Sequence, residues 1–203
     1  GCGGGGGGGL TSVVGTKGLF ITDLPTSAYD HVWVSIKQVI FNTAGGPVTA
    51  YDNAAGTQVD LRSLHDDVKN QSLYALLGSL NISPTTPFTG VSVVLDKSLT
   101  LVPAGQTAGV QGTFVGFDAA SGNKTLTFNF SSPKTIGSDF CIDFDLNSWT
   151  VDASNNVTAV IQESDKSGFE NPGNHVEDDF KGSVSNLGGT APAQNFTLTH
   201  EDL

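Results

Sequence analysis

The sequence predicts an all-β fold, an antiparallel β-sandwich of immunoglobulin-like or similar kind. Three observations lead there. Short runs rich in Val, Ile, Phe and Thr recur along the 203 residues at the roughly 8–12-residue spacing of sandwich strands. The segments between them are made of Gly, Pro, Asn, Asp and Ser, which supply positive φ, preset φ, or bond their own backbone. Only one stretch, near 61–77, carries helical spacing, through Leu61, Leu64, Val68, Tyr74 and Leu77 with Gly78 as a stop.

In chain order, residues 1–10 form a Gly-rich N-terminal segment. Residues 11–165 form the sandwich. Within it, H-V-W-V-S-I-K-Q-V-I-F (31–41) alternates, with Val32, Val34 and Ile36 on one face and His31, Trp33, Ser35 and Lys37 on the other. Further strands are expected at 91–95, 99–102, 112–117, 125–130, 140–146 and 157–161. Residues 166–203 read as an acidic linker followed by a hairpin, the start of a second small β module or an extra hairpin on the first.

Composition narrows the function. Nine Lys and Arg stand against twenty Asp and Glu, a net charge of −11 and a pI near 4.4. Such a surface repels nucleic acid and anionic lipid, so neither is expected as a partner. No apolar run approaches the ~18 residues of a membrane-spanning helix. Met is absent, which is expected of a processed form or a segment, most simply after removal of a signal peptide. The closing L-T-H-E-D-L reads as the middle of a β region, so further chain is expected beyond it.

Catalytic signatures are missing. There is no G-x-S-x-G, no phosphate loop, no H-E-x-x-H and no C-x-x-C, and His31, His65, His175 and His200 are dispersed. The chain is expected not to be an enzyme and to need no cofactor beyond, at most, calcium. Asp139, Asp143 and Asp145 alternate along D-F-C-I-D-F-D-L with Cys141, opposite Phe140, Ile142, Phe144 and Leu146. Three carboxylates on one face are candidate ligands for Ca²⁺, a hard cation that wants several oxygens; the alternative is a solvated outer face. Asp23, in T-D-L-P, is expected to bond backbone two residues on. Tyr29, Trp33 and Trp149 are candidates for a sugar-stacking platform, or for covering a sheet. Glycosylation sequons occur at Asn70, Asn81, Asn123, Asn129, Asn156 and Asn195.

F-I-T-D-L-P (20–25), Y-D-H-V-W-V-S-I-K-Q-V-I-F (29–41), L-L-G (76–78), V-S-V-V-L-D (91–96) and D-F-C-I-D-F-D-L (139–146) appear in that order. Together they resemble a bacterial secreted or surface-lipoprotein domain family of unknown function, over about residues 18–162. The resemblance implies a β-sandwich, export, and often a lipid anchor at a Cys followed by a glycine-rich tether. It implies no catalytic residues. Residues 180–203 resemble the start of a small β-barrel module that often follows this domain.

The opening G-C-G-G-G-G-G-G-G admits two uses. Cys2 is a lipid anchor and Gly3, Gly4, Gly5, Gly6, Gly7, Gly8 and Gly9 are its tether. Otherwise the run is ordered against a neighbouring copy, for which a Cys2–Cys141 disulfide within or between copies would be the staple. Ordering glycine costs about 1–2 kcal/mol per residue, so backbone pairing must offset it. The leading expectation is a non-enzymatic extracellular or cell-surface protein that assembles with itself through N-terminal strand exchange into a filament or matrix. The alternative is a lipid-anchored sandwich binding glycan or calcium, with an unrecognised hydrolase second.

Overall fold

The computed structural model describes residues 17–23, 26–66, 71–72, 74–164, 176–177, 182–190 and 193–200. Cys2, the glycine run, Asn70 and His175 lie outside them. In chain order the strands are β1 (Gly18–Thr22), β2 (Tyr29–Thr43), β3 (Gly46–Asp60), β4 (His65–Asp66), β5 (Gln71–Ser72), β6 (Tyr74–Ser79), β7 (Phe88–Asp96), β8 (Ser98–Pro103), β9 (Val110–Phe114), β10 (Asn123–Lys134), β11 (Phe140–Asp143), β12 (Thr150–Val151), β13 (Asn156–Thr158), β14 (Gln162–Glu163), β15 (Val176–Glu177), β16 (Gly182–Thr190) and β17 (Ala193–His200). The protein is an all-β sandwich of two packed sheets. One has five strands in the order β14-β11-β1-β6-β15. The other has eight, β10-β7-β2-β8-β9-β13-β12 with β3 also on β2. β16 and β17 pair with each other as an antiparallel hairpin.

The helical segment expected near 61–77 is confined, among the described residues, to Leu61–Leu64, a four-residue 3₁₀ helix capped by the Asp60 carboxylate on the Arg62 N–H. Leu61 and Leu64 share its buried side because i and i+3 eclipse in this geometry. Leu77 belongs to β6, so helical spacing there was coincidence between two elements.

β2 organises the larger sheet. Residues Ile36–Asn42 pair with β7 while Trp33–Thr43 pair with β3, so these two partners must take opposite edges of β2. β8 continues the line of β7 along Tyr29–Trp33. Val32, Val34 and Ile36 are buried as the alternation predicts, but beyond them Val39 and Phe41 are buried instead. A register shift between Ile36 and Gln38 reverses the phase, as an inserted residue does in a period-two strand. β3 compensates on its side with the excursion 53–56, where Gly56 has φ +84° and a Cβ would lie 1.9 Å from Ser35 Oγ.

The core is aromatic where the sheets meet. Phe41 of β2 meets Phe88 of β7 edge-on at 5.4 Å and Phe140 of β11 at 5.1 Å, and Phe130 of β10 meets Phe140 at 6.0 Å. Phe41 and Phe140 thus join the two sheets, both essentially without solvent contact. Edge-to-face contacts add to the area they bury. Phe41→Ala is expected to lower the unfolding free energy by about 3–5 kcal/mol, the usual cost of an emptied aromatic site, measured by urea denaturation followed by near-ultraviolet circular dichroism.

Candidate functional site

β1 is five residues long, G-L-F-I-T, yet it lies at the centre of the five-stranded sheet. It runs parallel to β11, with Leu19 opposite Phe140 and Ile21 opposite Ile142, and antiparallel to β6, with Ile21 opposite Ala75. All five of its residues are buried. β11 and β6 do not pair with each other in this sheet; β1 alone connects them.

Both ends of β1 are fastened to distant chain. At the entry, Asp139 Oδ1 accepts the Gly18 N–H at 2.7 Å, and Leu80 N donates to Lys17 O at 2.7 Å. The Lys17 ammonium caps the carbonyls of Ile82 (3.2 Å) and Ile136 (3.1 Å). At the exit, Phe144 N donates to Thr22 O at 3.1 Å. Asp23 Oδ1 accepts the Leu146 N–H at 2.9 Å, at the start of the 3₁₀ turn Leu146–Ser148. This contact spans 123 residues; the local turn expected at Asp23 falls on residues 24–25, outside the described residues.

Asp23 is wholly buried, and its Oδ2 has no hydrogen-bond partner among the described residues. Burial pushes its carboxyl up to about 7, with Asp143 and Asp145 adding to the rise and the Leu146 N–H and Arg62 opposing it. At neutral pH this group sits between its neutral and ionised forms at the joint where β1 leaves the sheet.

The three candidate calcium ligands are not gathered. Asp139 and Asp143 stand at opposite ends of β11, about 13 Å apart along a strand, whereas oxygens sharing a Ca²⁺ lie within 2.3–2.6 Å of it. Each is engaged by protein: Asp139 by Gly18, Asp143 by the Asp145 N–H (2.8 Å) and Gln162 Nε2 (2.8 Å), and Asp145 by the Ser148 hydroxyl. Among the described residues no three His, Cys, Asp or Glu are placed to hold a metal. The face they were expected to share is not uniformly wet: Asp139 is exposed, but Cys141 and Asp143 are buried together with Phe140 and Ile142. The strand stops at Asp143, and Asp145 turns the chain at φ 42°. The Cys141 thiol is enclosed, with Sγ 3.9 Å from Ile142 O, so it presents no surface to a neighbouring copy in this state.

The aromatic candidates divide. Tyr29 and Trp149 line a cavity of about 220 Å³ with Val32, Leu101 and Leu146. Trp149 packs edge-on against Phe114 at 5.7 Å, and its indole N–H donates to Val160 O at 3.0 Å, which makes it a structural residue. Trp33 is apart from them, exposed on the outer face of β2. Of the sequons, Asn81, Asn129 and Asn156 are exposed. Asn123 accepts from Lys37 Nζ at 2.8 Å, and Asn156 Nδ2 donates to Asp152 at 2.9 Å. Asn195 lies in β17.

Residues 14–161 match the family described as Domain of unknown function (DUF4382). The chain belongs to that family. The match covers β1 through β13, so the strand-in-sheet arrangement of β1 lies within the DUF4382 domain. Comparison with curated proteins and with solved structures finds no match. Among the described residues no helix is long and apolar enough to cross a membrane.

Asp23 makes the DUF4382 domain pH-sensitive. An unfolded Asp loses its proton near 3.8, whereas the folded one keeps it to about 7. Between those values the folded state holds a proton that the unfolded chain lacks, so this group's stabilising contribution falls as pH rises from about 4 through about 7. The full shift corresponds to at most about 4 kcal/mol. Asp96 works the other way: its pKa is lowered, first by the Ser98 N–H and also by Lys37, so its contribution is lost as pH falls through its folded pKa. Asp23→Asn is expected to match wild type near pH 4.5 and to exceed it by about 1–3 kcal/mol near pH 8. Urea unfolding across that range measures the difference.

Proposed function

We propose that this is a non-enzymatic, extracellular or cell-surface structural domain that assembles with its own copies by exchange of the N-terminal strand. One observation carries the reading: the first strand of the described residues fills the middle of a sheet whose two halves have, among those residues, no other connection through backbone pairing. A strand in that position makes the same contacts whether its own chain or a neighbour supplies it. Leu19, Phe20 and Ile21 bury nearly all of their side chains there, roughly 1.5–3 kcal/mol each. An empty slot is therefore costly, and a copy's strand relieves that cost as well as the chain's own. The balance then falls to protein concentration and to the six residues between β1 and β2. A head-to-tail exchange does not close on itself, so it extends into a filament unless its rotation forms a ring.

The sheet edges favour exchange over simple addition of strands side by side. The described edge strands of the five-stranded sheet, β14 and β15, have two residues each. β3 is long, but it carries Pro47 and two register shifts. Short, bulged and Pro-bearing edges resist strand addition.

The pairing of Phe20 with Cys141 across β1 and β11 supplies a test. In a Cys2→Ser background, Phe20→Cys puts two thiols on neighbouring strands, within the ~7 Å Cα separation that a disulfide tolerates. After refolding at high concentration and oxidation, exchange is expected to give a ladder of covalent multimers on a non-reducing gel, collapsing to monomer on reduction. A single monomer band whose only disulfide is intrachain, together with a monomeric mass by light scattering, would falsify the proposal.

A further inference from the structure

The eight-stranded sheet carries an independent feature on its outer face. Trp33 is 42% exposed in the middle of β2, between Val32 and Val34, which are sealed in the core. It is the one exposed Phe, Tyr or Trp among the described side chains. Burying an indole elsewhere in this sandwich was open to the sequence, as Trp149 shows, so its exposure here asks for an occupant.

The surroundings of Trp33 are built. The His31 ring lies nearly parallel to it, 6.5 Å between centroids and 25° between planes. His31 is about half exposed, and its Nδ1 lies 2.7 Å from Asp60 Oδ2. Asp60 is itself buried and fixed, with Oδ1 accepting the Val32 N–H at 3.0 Å and the Arg62 N–H at 3.1 Å. With Nδ1 engaged by Asp60, Nε2 is the ring nitrogen left for a ligand hydroxyl, which can both donate and accept. On the other side of Trp33 the register places Thr100, and beyond it Gln111; both are exposed. The result is a ledge built from two stacked rings, flanked by a hydroxyl and a carboxamide.

We infer that the His31–Trp33 ledge binds a neutral polysaccharide, one sugar ring stacking its C–H face on the Trp33 indole. A pyranose offers an apolar face and a rim of hydroxyls. The ledge offers an apolar face with His31 Nε2, Thr100 and Gln111 at its rim, the combination of stacking area and few oriented polar groups that defines a small-ligand site. Charge decides against the other polymers: at −11 the protein repels nucleic acid and anionic glycans. Size decides against a second copy, since a stable protein interface needs about 800 Å² from each partner with an apolar centre, and here one indole is ringed by polar groups. The site lies on the sheet opposite β1 and does not depend on strand exchange.

The test uses cellohexaose, xylohexaose, mannohexaose and chitohexaose, titrated into the whole chain while tryptophan fluorescence is followed. Native gels cast with soluble cellulose derivative, xylan, mannan or glycol chitin give a second readout. At least one probe is expected to shift the fluorescence saturably and retard migration. Trp33→Ala is expected to abolish both, and His31→Ala to weaken binding about tenfold, the effect of one lost hydrogen bond. Both positions are exposed, so circular dichroism should confirm that the variants fold. Binding that survives Trp33→Ala overturns the assignment, and so does the absence of binding to every probe.

Discussion

The smaller sheet depends on five residues at the start of the described chain. β11 has four residues, β14 and β15 two each, and β6 six. Strands this short do not hold together alone. β1 gives β11 a parallel partner and β6 an antiparallel one at once, and without it the sheet falls into two pieces. The inner side chains of those pieces, Phe140 and Ile142 among them, are the side of the core that Phe41 packs against. A local strand thus becomes a global constraint: the aromatic contact between the sheets exists only while β1 is seated, by its own chain or by another.

The anchors at the two ends of β1 differ in kind. At the entry, Lys17 and Asp139 bond backbone groups with side chains that are not buried. At the exit, Asp23 is buried, with one oxygen bonded to backbone and the other unpartnered. A carboxylate in that position is expensive when ionised, and Asp143 and Asp145 add like charge around it. A better-satisfied residue would make a stronger joint. The exit of β1 is therefore the weaker end of the clamp, and it is also the end from which an exchanged strand would have to be pulled, because the chain continues from there into β2.

Much of the larger sheet was legible in the sequence, and the smaller one largely was not. β7, β8, β10 and β13 announce themselves by β-branched or aromatic runs between turns. β1 does not, because G-L-F-I-T is buried on both faces and has no alternation to read. β3 was missed for the opposite reason: as an edge strand with an excursion at 53–56 it buries little, and P-V-T-A-Y-D-N-A-A-G looks like a loop. D-F-C-I-D-F-D-L was read as half wet because its alternation is real, but its partner comes from more than a hundred residues upstream and no local pattern carries that. Trp33 was legible as lying on the polar face. His31 was legible on the same face, but its tie to Asp60 was not, since Asp60 reaches it only through the fold of β3 back onto β2.

The two readings of function draw on different sheets, and this separation has a physical consequence. Strand exchange would consume the slot between β11 and β6 and leave the outer face of β2 untouched. A ledge with one stacking ring and a few hydrogen bonds would hold a sugar weakly by itself. Repeated along an assembly, such ledges act at high effective concentration on a polymer that is itself repetitive, and avidity then rises by orders of magnitude without any new contact. An isolated domain with this site would be a poor adhesin. A series of them, joined through their first strands, could grip a polysaccharide while each site exchanged freely, and the acidic surface would keep the assembly soluble and away from anionic polymers.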